Sequence, residues 1–140
     1  MPDEQHAQWI SKKLESYDSS KPFFMGVGFV NPHTPLYVPK KYYDKFPLED
    51  IILPEIKEND LIDSNYQNVY PNSEMGLSYF KKLKLAYPNG NEGLKRFLQA
   101  YLACINFMDE QVGIVLDALE NSNFKNNTIV ILASDHGWQM

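Results

Sequence analysis

The chain has 140 residues, with 18 acidic against 13 basic side chains, a formal net charge of −5, and 44% hydrophobic and 22% charged residues. That balance belongs to an ordinary globular domain with a real core, and it excludes collagen-like, disordered and disulfide-scaffolded chains. The acidic charge speaks against a nucleic-acid partner, because phosphate binding needs clustered Lys and Arg. The dense basic stretches, Lys40-Lys41 and Lys81-Lys82-Lys84, are interleaved with apolar residues and read as solvated faces.

One cysteine, Cys104, leaves no internal disulfide framework and no cysteine-based metal knuckle. It lies in an apolar helical run and is read as a buried, inert thiol. No apolar stretch approaches the length of a membrane span. Met1-Pro2-Asp3-Glu4 is acidic where a secretory leader would be positive. The chain opens directly into a helix and stops just past a strand-like run, at Gly137-Trp138-Gln139-Met140, and is read as an internal piece of a larger domain.

In chain order, Asp3 to about Tyr17 reads as an amphipathic helix, with Asp3 as its N-cap and Trp9, Ile10 and Leu14 on one face. Ser19-Ser20-Lys21-Pro22 breaks it. Residues 23–30 are an almost unbroken apolar run, as suits a strand covered on both faces. Asn31-Pro32-His33-Thr34-Pro35, with Pro39 beyond, forms a stiff non-helical loop. Lys40 to Phe46 is a short helix. Pro47 to Tyr70 is a long excursion with little periodicity, of the kind that is functional or belongs to a larger structure. Ser73 to Leu85 includes another helix, closed by Tyr87-Pro88-Asn89-Gly90. Gly93 to Glu120 is the strongest helix, its stripe running through Leu94, Phe97, Leu98, Tyr101, Leu102, Ile105, Met108, Val112, Val115, Leu116 and Leu119. Residues 128–133 form a second β-branched apolar run. Strand, long helix and strand together predict an α/β sandwich with a mostly parallel sheet.

In such sheets ligands gather beyond the carboxyl ends of the strands. His33 follows the first apolar run, and Asp135 and His136 follow the second in Ser134-Asp135-His136-Gly137. If both strands are parallel, these side chains emerge on one rim. Asp135 could bind a divalent cation through oxygen, and His136 could ligate it or touch a substrate. Gly137 would let the backbone turn sharply. The same residues, taken alone, also suit an Asx turn with a surface histidine. His33, held between prolines, suits a hydrogen-bond donor or general acid, and equally a histidine packed in a proline-rich loop. His6 reads as an ordinary surface residue, and Asn126-Asn127-Thr128 fits a glycosylation sequon.

Taken together, Lys21 to Pro35 with Val38 to Asp44, Tyr101 to Leu119, and Asn127-Thr-Ile-Val-Ile-Leu-Ala-Ser-Asp-His-Gly-Trp138 resemble the central region of sulfatases, the iduronate-2-sulfatase-like group above all. Residues 47–90 match loosely, as a variable insertion would, in a single partial domain spanning 1–140. The resemblance implies the alkaline-phosphatase-like α/β fold and hydrolysis of sulfate esters, with sulfated carbohydrates or small molecules as substrates. It implies a formylglycine nucleophile, made from the first residue of Cys/Ser-x-Pro/Ala-x-Arg, and a calcium ion at the sulfate oxygens. By the same resemblance Asp135 is a calcium ligand. His136 is a ligand or a neighbour of the sulfate, and His33 donates to the sulfate or protonates the leaving oxygen. Work in the periplasm, the lysosome or outside the cell follows only by that analogy.

This sequence departs from the family pattern. No Cys/Ser-x-Pro/Ala-x-Arg occurs, since Cys104 is followed by Ile105-Asn106-Phe107, and the paired N-terminal aspartates are absent. Asn31 stands where many relatives carry a basic residue before Pro-His. The 140 residues alone are therefore expected to be inactive. They are also expected to expose apolar faces at 23–30 and 128–133 and to be poorly soluble. Two other readings stay open: a phosphodiesterase or phosphonate-monoester hydrolase of the same superfamily, and a non-catalytic domain that binds sulfated glycans.

Overall fold

The computed structural model describes residues 1–55, 57 and 75–138, apart from the Met75 side chain. Four α-helices are described: α1 (Pro2–Ser16), α2 (Lys40–Tyr43), α3 (Met75–Leu85) and α4 (Gly90–Glu120), with a 3₁₀ turn at Leu48–Asp50. Much of the expected excursion at 47–70 lies outside the described residues. Helix α4 is the spine, and α1, α2, α3 and the 3₁₀ turn all pack against it.

Helix α1 starts where Pro2 pre-sets the backbone and where Asp3 and Glu4 suit the positive end of the helix dipole. Its buried residues are Asp3, Ala7, Ile10 and Leu14, one face at helical spacing. Trp9, expected on that face, is 58% exposed, because it stands about 100° round the helix from Ile10. Asp3 is not the N-cap. It lies inside the first turn, and its carboxylate is turned away toward the chain at Val30 and Asn31.

Helix α4 begins three residues earlier than the apolar stripe implied. Tyr87-Pro88-Asn89-Gly90, read as the end of α3, supplies the next helix's cap: the Asn89 side chain accepts from the Asn91 N–H at 3.1 Å. The residues of α4 that are fully buried are Gly93, Ala103, Cys104, Phe107 and Gln111, not the longer side chains of the predicted stripe, which are half-buried or exposed. Small residues allow α2 and its flanks to approach closely. Val38, Tyr42, Ala103, Cys104 and Phe107 make the core cluster, with Leu36, Tyr43 and Phe46 around it. Tyr42 meets Phe107 edge-to-face at 5.3 Å.

Gly93 is where α3 reaches α4. A Cβ at this position would stand 2.0 Å from the Leu83 carbonyl oxygen, a backbone atom with no rotamer to yield. Gly93→Ala is therefore expected to cost about 1–3 kcal/mol by overpacking, more than alanine's helix propensity of about 1 kcal/mol returns. Denaturant unfolding of the variant would measure this, and an unchanged midpoint would contradict the close approach.

Cys104 matches its expected state. It is fully buried, and desolvation pushes its thiol up to about 11. A thiol reagent at pH 8 should leave it unmodified in the folded protein and label it only on unfolding. Rapid labelling of the native protein would show that this core opens.

The expected parallel sheet is not formed among the described residues. Residues 23–30 and 128–133 carry no regular secondary structure, and neither is in a strand ladder. A strand exists through its neighbour's hydrogen bonds, and neither run pairs with the other here. The apolar exposure expected of both runs is present: Phe24 is 97% exposed, Ile129 89% and Ile131 84%. The first run is tied instead to α1. Its start is held by an aromatic trio, with Phe23 4.9 Å from Phe124 and 5.5 Å from Tyr17, all edge-on. Among the described residues no helix is long and apolar enough to cross a membrane.

Candidate functional site

The two segments that carry the expected site residues are exposed and locally constrained. In the first, the loop 31–35 leaves the apolar run as a turn closed by the His33 N–H donating to the Val30 carbonyl at 2.9 Å. The peptide bonds Asn31-Pro32 and Thr34-Pro35 are cis. The His33 ring is exposed, with Nδ1 2.6 Å from the Thr34 carbonyl oxygen. A carbonyl can only accept, so Nδ1 carries a proton and Nε2 is the free ring nitrogen.

In the second segment, the Asp135 carboxylate accepts from the His136 N–H at 2.8 Å, and Ser134 Oγ donates to the His136 carbonyl at 2.9 Å. The His136 Nε2 lies 3.6 Å from the other Asp135 oxygen, both side chains being more than 80% exposed. Such an exposed pair adds little stability. The His136 N–H, then the charge of His136, and at longer range the charge of His33 hold the Asp135 carboxyl below the ordinary carboxylate value.

An aromatic contact just beyond the second segment holds it to the helices. Trp138 packs edge-on against Phe97 of α4 at 5.3 Å and Tyr79 of α3 at 6.2 Å. Gly137, expected to let the backbone turn sharply, has no positive φ. A methyl group there would lie in ordinary contact, 3.5 Å from the Tyr101 hydroxyl.

Several residues missed at the level of sequence organise the first segment. Asp3 Oδ1 accepts from the Val30 N–H at 2.9 Å, and Oδ2 accepts from the Asn31 N–H at 3.0 Å and from Asn31 Nδ2 at 2.9 Å. Burial pushes the Asp3 carboxyl up, but these bonds and the nearby charge of His6 outweigh it and leave it below its ordinary value. His6, read as an ordinary surface residue, donates from Nδ1 to the Gly28 carbonyl at 2.8 Å. Asn31, the departure from the family pattern, spends its side chain on Asp3. No periodicity or motif marks these contacts, which join residues 22 to 28 positions apart.

The described residues by themselves do not make a metal site. Asp135 is an ionised, open oxygen donor of the kind calcium prefers, whereas the His136 nitrogen suits calcium poorly. Calcium takes about six to eight oxygens, and among the described residues no three His, Cys, Asp or Glu side chains are gathered to hold a metal ion.

The exposed Asp135 carboxylate and the His33 and His136 imidazoles thus stand just beyond the two apolar runs, and comparison with known proteins covers the whole chain. The family model described as Sulfatase matches residues 1–140, and the chain belongs to the sulfatase family. It is 40% identical over 140 residues to a protein named Sulfatase from Formosa agariphila, covering 100% of this chain and 26% of that protein. It is 32% identical over 145 residues to the iduronate 2-sulfatase of Mus musculus, again covering 100% and 26%. To the arylsulfatase of Clostridium perfringens it is 36% identical over 127 residues, 91% of this chain and 24% of that protein. The chain thus spans about a quarter of the length of these curated relatives. No solved structure matches it.

Proposed function

We propose that the complete protein carrying this chain hydrolyses sulfate esters, those of carbohydrates first, and that these residues furnish the leaving-group side of its active centre. The observation that carries the reading is the family match over all 140 residues, which includes both the Pro32-His33 loop and the Asp135-His136 loop. In this reading the fold is the family's α/β sandwich, with residues 23–30 and 128–133 as members of its sheet. Their exposed apolar side chains favour it.

The chemistry asks for three things. Negative charge on the sulfuryl oxygens must be met, the sulfur must be attacked, and the departing alkoxide must receive a proton. A calcium ion would supply the first, with Asp135 among its ligands and His136 either beside Asp135 on the ion or on the sulfate. A formylglycine would supply the second. The Cys/Ser-x-Pro/Ala-x-Arg that could be converted to one is not in these 140 residues. The third falls to His33. With Nδ1 held by the Thr34 carbonyl, the protonated ring presents Nε2–H outward and can give that proton to the ester oxygen. Asp135 keeps its charge throughout, since its carboxyl lies below the ordinary value.

Release of inorganic sulfate by the complete protein, from an aryl sulfate and from a sulfated disaccharide, tests the reading. Hydrolysis of both, abolished by a calcium chelator and restored by calcium, is the expected result. Hydrolysis of phosphate or phosphonate esters in preference to sulfate esters would replace it with the phosphoryl-transfer reading. Tight binding of the disaccharide without turnover would replace it with the glycan-binding one.

A further inference from the structure

We propose that Asp3 is a positioning residue for His33: the buried Asp3 carboxylate, bonded to the two backbone N–H groups on which the His33 turn is built, sets where the imidazole stands. The inference rests on the reading of His33 as the proton donor to the ester oxygen.

The geometry runs through very few bonds. The His33 N–H is fixed to the Val30 carbonyl at 2.9 Å, and the Val30 N–H is fixed to Asp3 Oδ1 at the same distance. The residue next in line, Asn31, gives both its backbone N–H and its side-chain amide to Asp3 Oδ2. Only Pro32 separates Asn31 from His33, and its ring locks one of the two backbone dihedrals between them. Thr34 holds the imidazole from the other side through its carbonyl. Each point that orients His33 thus leads within three residues to Asp3 or to a proline.

Asp3 itself is well suited to be the fixed end. It is 1% exposed and sits in the first turn of α1, whose Ala7, Ile10 and Leu14 are buried in the same row. His6, one turn further on, donates to the Gly28 carbonyl and gives the run a second tie to the same helix. The donors Asp3 receives are all N–H groups, so only a doubly accepting carboxylate satisfies them. An asparagine would turn one NH₂ toward an N–H and lose at least one of the three bonds. A purely structural role would end at the seam between α1 and this run. The positioning role makes a different demand, because an imidazole displaced by about 1 Å can lose on the order of a hundredfold in rate with binding intact.

The test uses the complete protein and the variants Asp3→Asn, Asn31→Ala and His33→Ala, read by steady-state kinetics, thermal unfolding and amide hydrogen exchange of peptides covering 28–36. For Asp3→Asn the expected result is faster exchange confined to those peptides and a kcat about ten- to a hundredfold lower with KM changed little. Asn31→Ala, which removes only the side-chain bond, should show the same pattern more weakly. Faster exchange with an unaltered kcat in both variants, while His33→Ala is inactive, would overturn the positioning role and leave Asp3 a structural tie. Should Asp3→Asn not accumulate in folded form, Asn31→Ala decides by the same criterion. Full turnover by His33→Ala would instead show that the His33 assignment has failed, and the proposal with it. The exchange data would still report whether Asp3 holds the loop.

Discussion

Alanine in place of His33 is expected to lower the kcat of the complete protein on an alkyl sulfate ester by about 10²–10⁴-fold, the usual contribution of a positioned general acid. An alkoxide departs badly without a proton, so the loss should be largest for alcohols of high pKa. A nitrophenyl sulfate, whose leaving group needs little protonation, should lose much less. That contrast between leaving groups is the diagnostic part, because a misfolded variant would lose both activities alike. KM should move little, since the proton is given in the transition state and not on binding. Equal losses on both esters would assign His33 to holding the sulfate, the other role the resemblance implies for it. Asp135→Asn offers the complementary expectation: weaker calcium binding, with activity recovered in part at high calcium concentration, if its oxygen is a ligand.

Truncating Phe107 to alanine should be the most damaging change to the fold, costing about 3–5 kcal/mol. Its ring is fully buried in the cluster of Val38, Tyr42, Ala103 and Cys104, and its carbonyl accepts from the buried Gln111 side chain. The neighbours cannot close the gap. Ala103 is on the same rigid helix, and Tyr42 is held on the short α2. Chemical denaturation or the yield of folded protein would register the loss. A cost below about 1 kcal/mol would mean that α2 collapses onto α4 freely and that the cluster is not close-packed. The same change should also reach the candidate site. Val38 and Leu36, which this cluster anchors, come after Pro35 at the end of the His33 loop.

The helices were written plainly in the sequence. The spacing of Ile10 and Leu14, and the unbroken 3.6-residue stripe of α4, mark helices because an apolar face at that period is a local property of the chain. Cys104 could be read as inert because it lies in an apolar helical run, and the structure buries it against Val38 and Tyr42 as well. The Pro-His loop and the Asp-His-Gly loop were legible as motifs because each is a few consecutive residues at the end of an apolar run.

Other features could not be read that way. Asp3 looked like an N-cap, since an aspartate near a helix start usually serves its own helix. Only the return of the chain past α1 gave its carboxylate three donors from Val30 and Asn31. Trp9 was placed on the apolar face with Ile10 and Leu14 by helical spacing, and it stands on the surface. Small residues of α4, Gly93 and Ala103, are buried where longer ones are not, since close approach of a neighbouring helix depends on what that helix presents. The two runs were identified by their unbroken apolar content, but a sheet is a relation between strands, and among the described residues neither run has a strand partner.

The sequence alone therefore determined the helical periods, the buried thiol and the family to which the chain belongs, because each is encoded in residues a few positions apart. Tertiary structure decided which face of α4 is buried and how the His33 loop is tied to α1. Each of these depends on contacts across tens of residues, where chain topology and not local pattern brings side chains together.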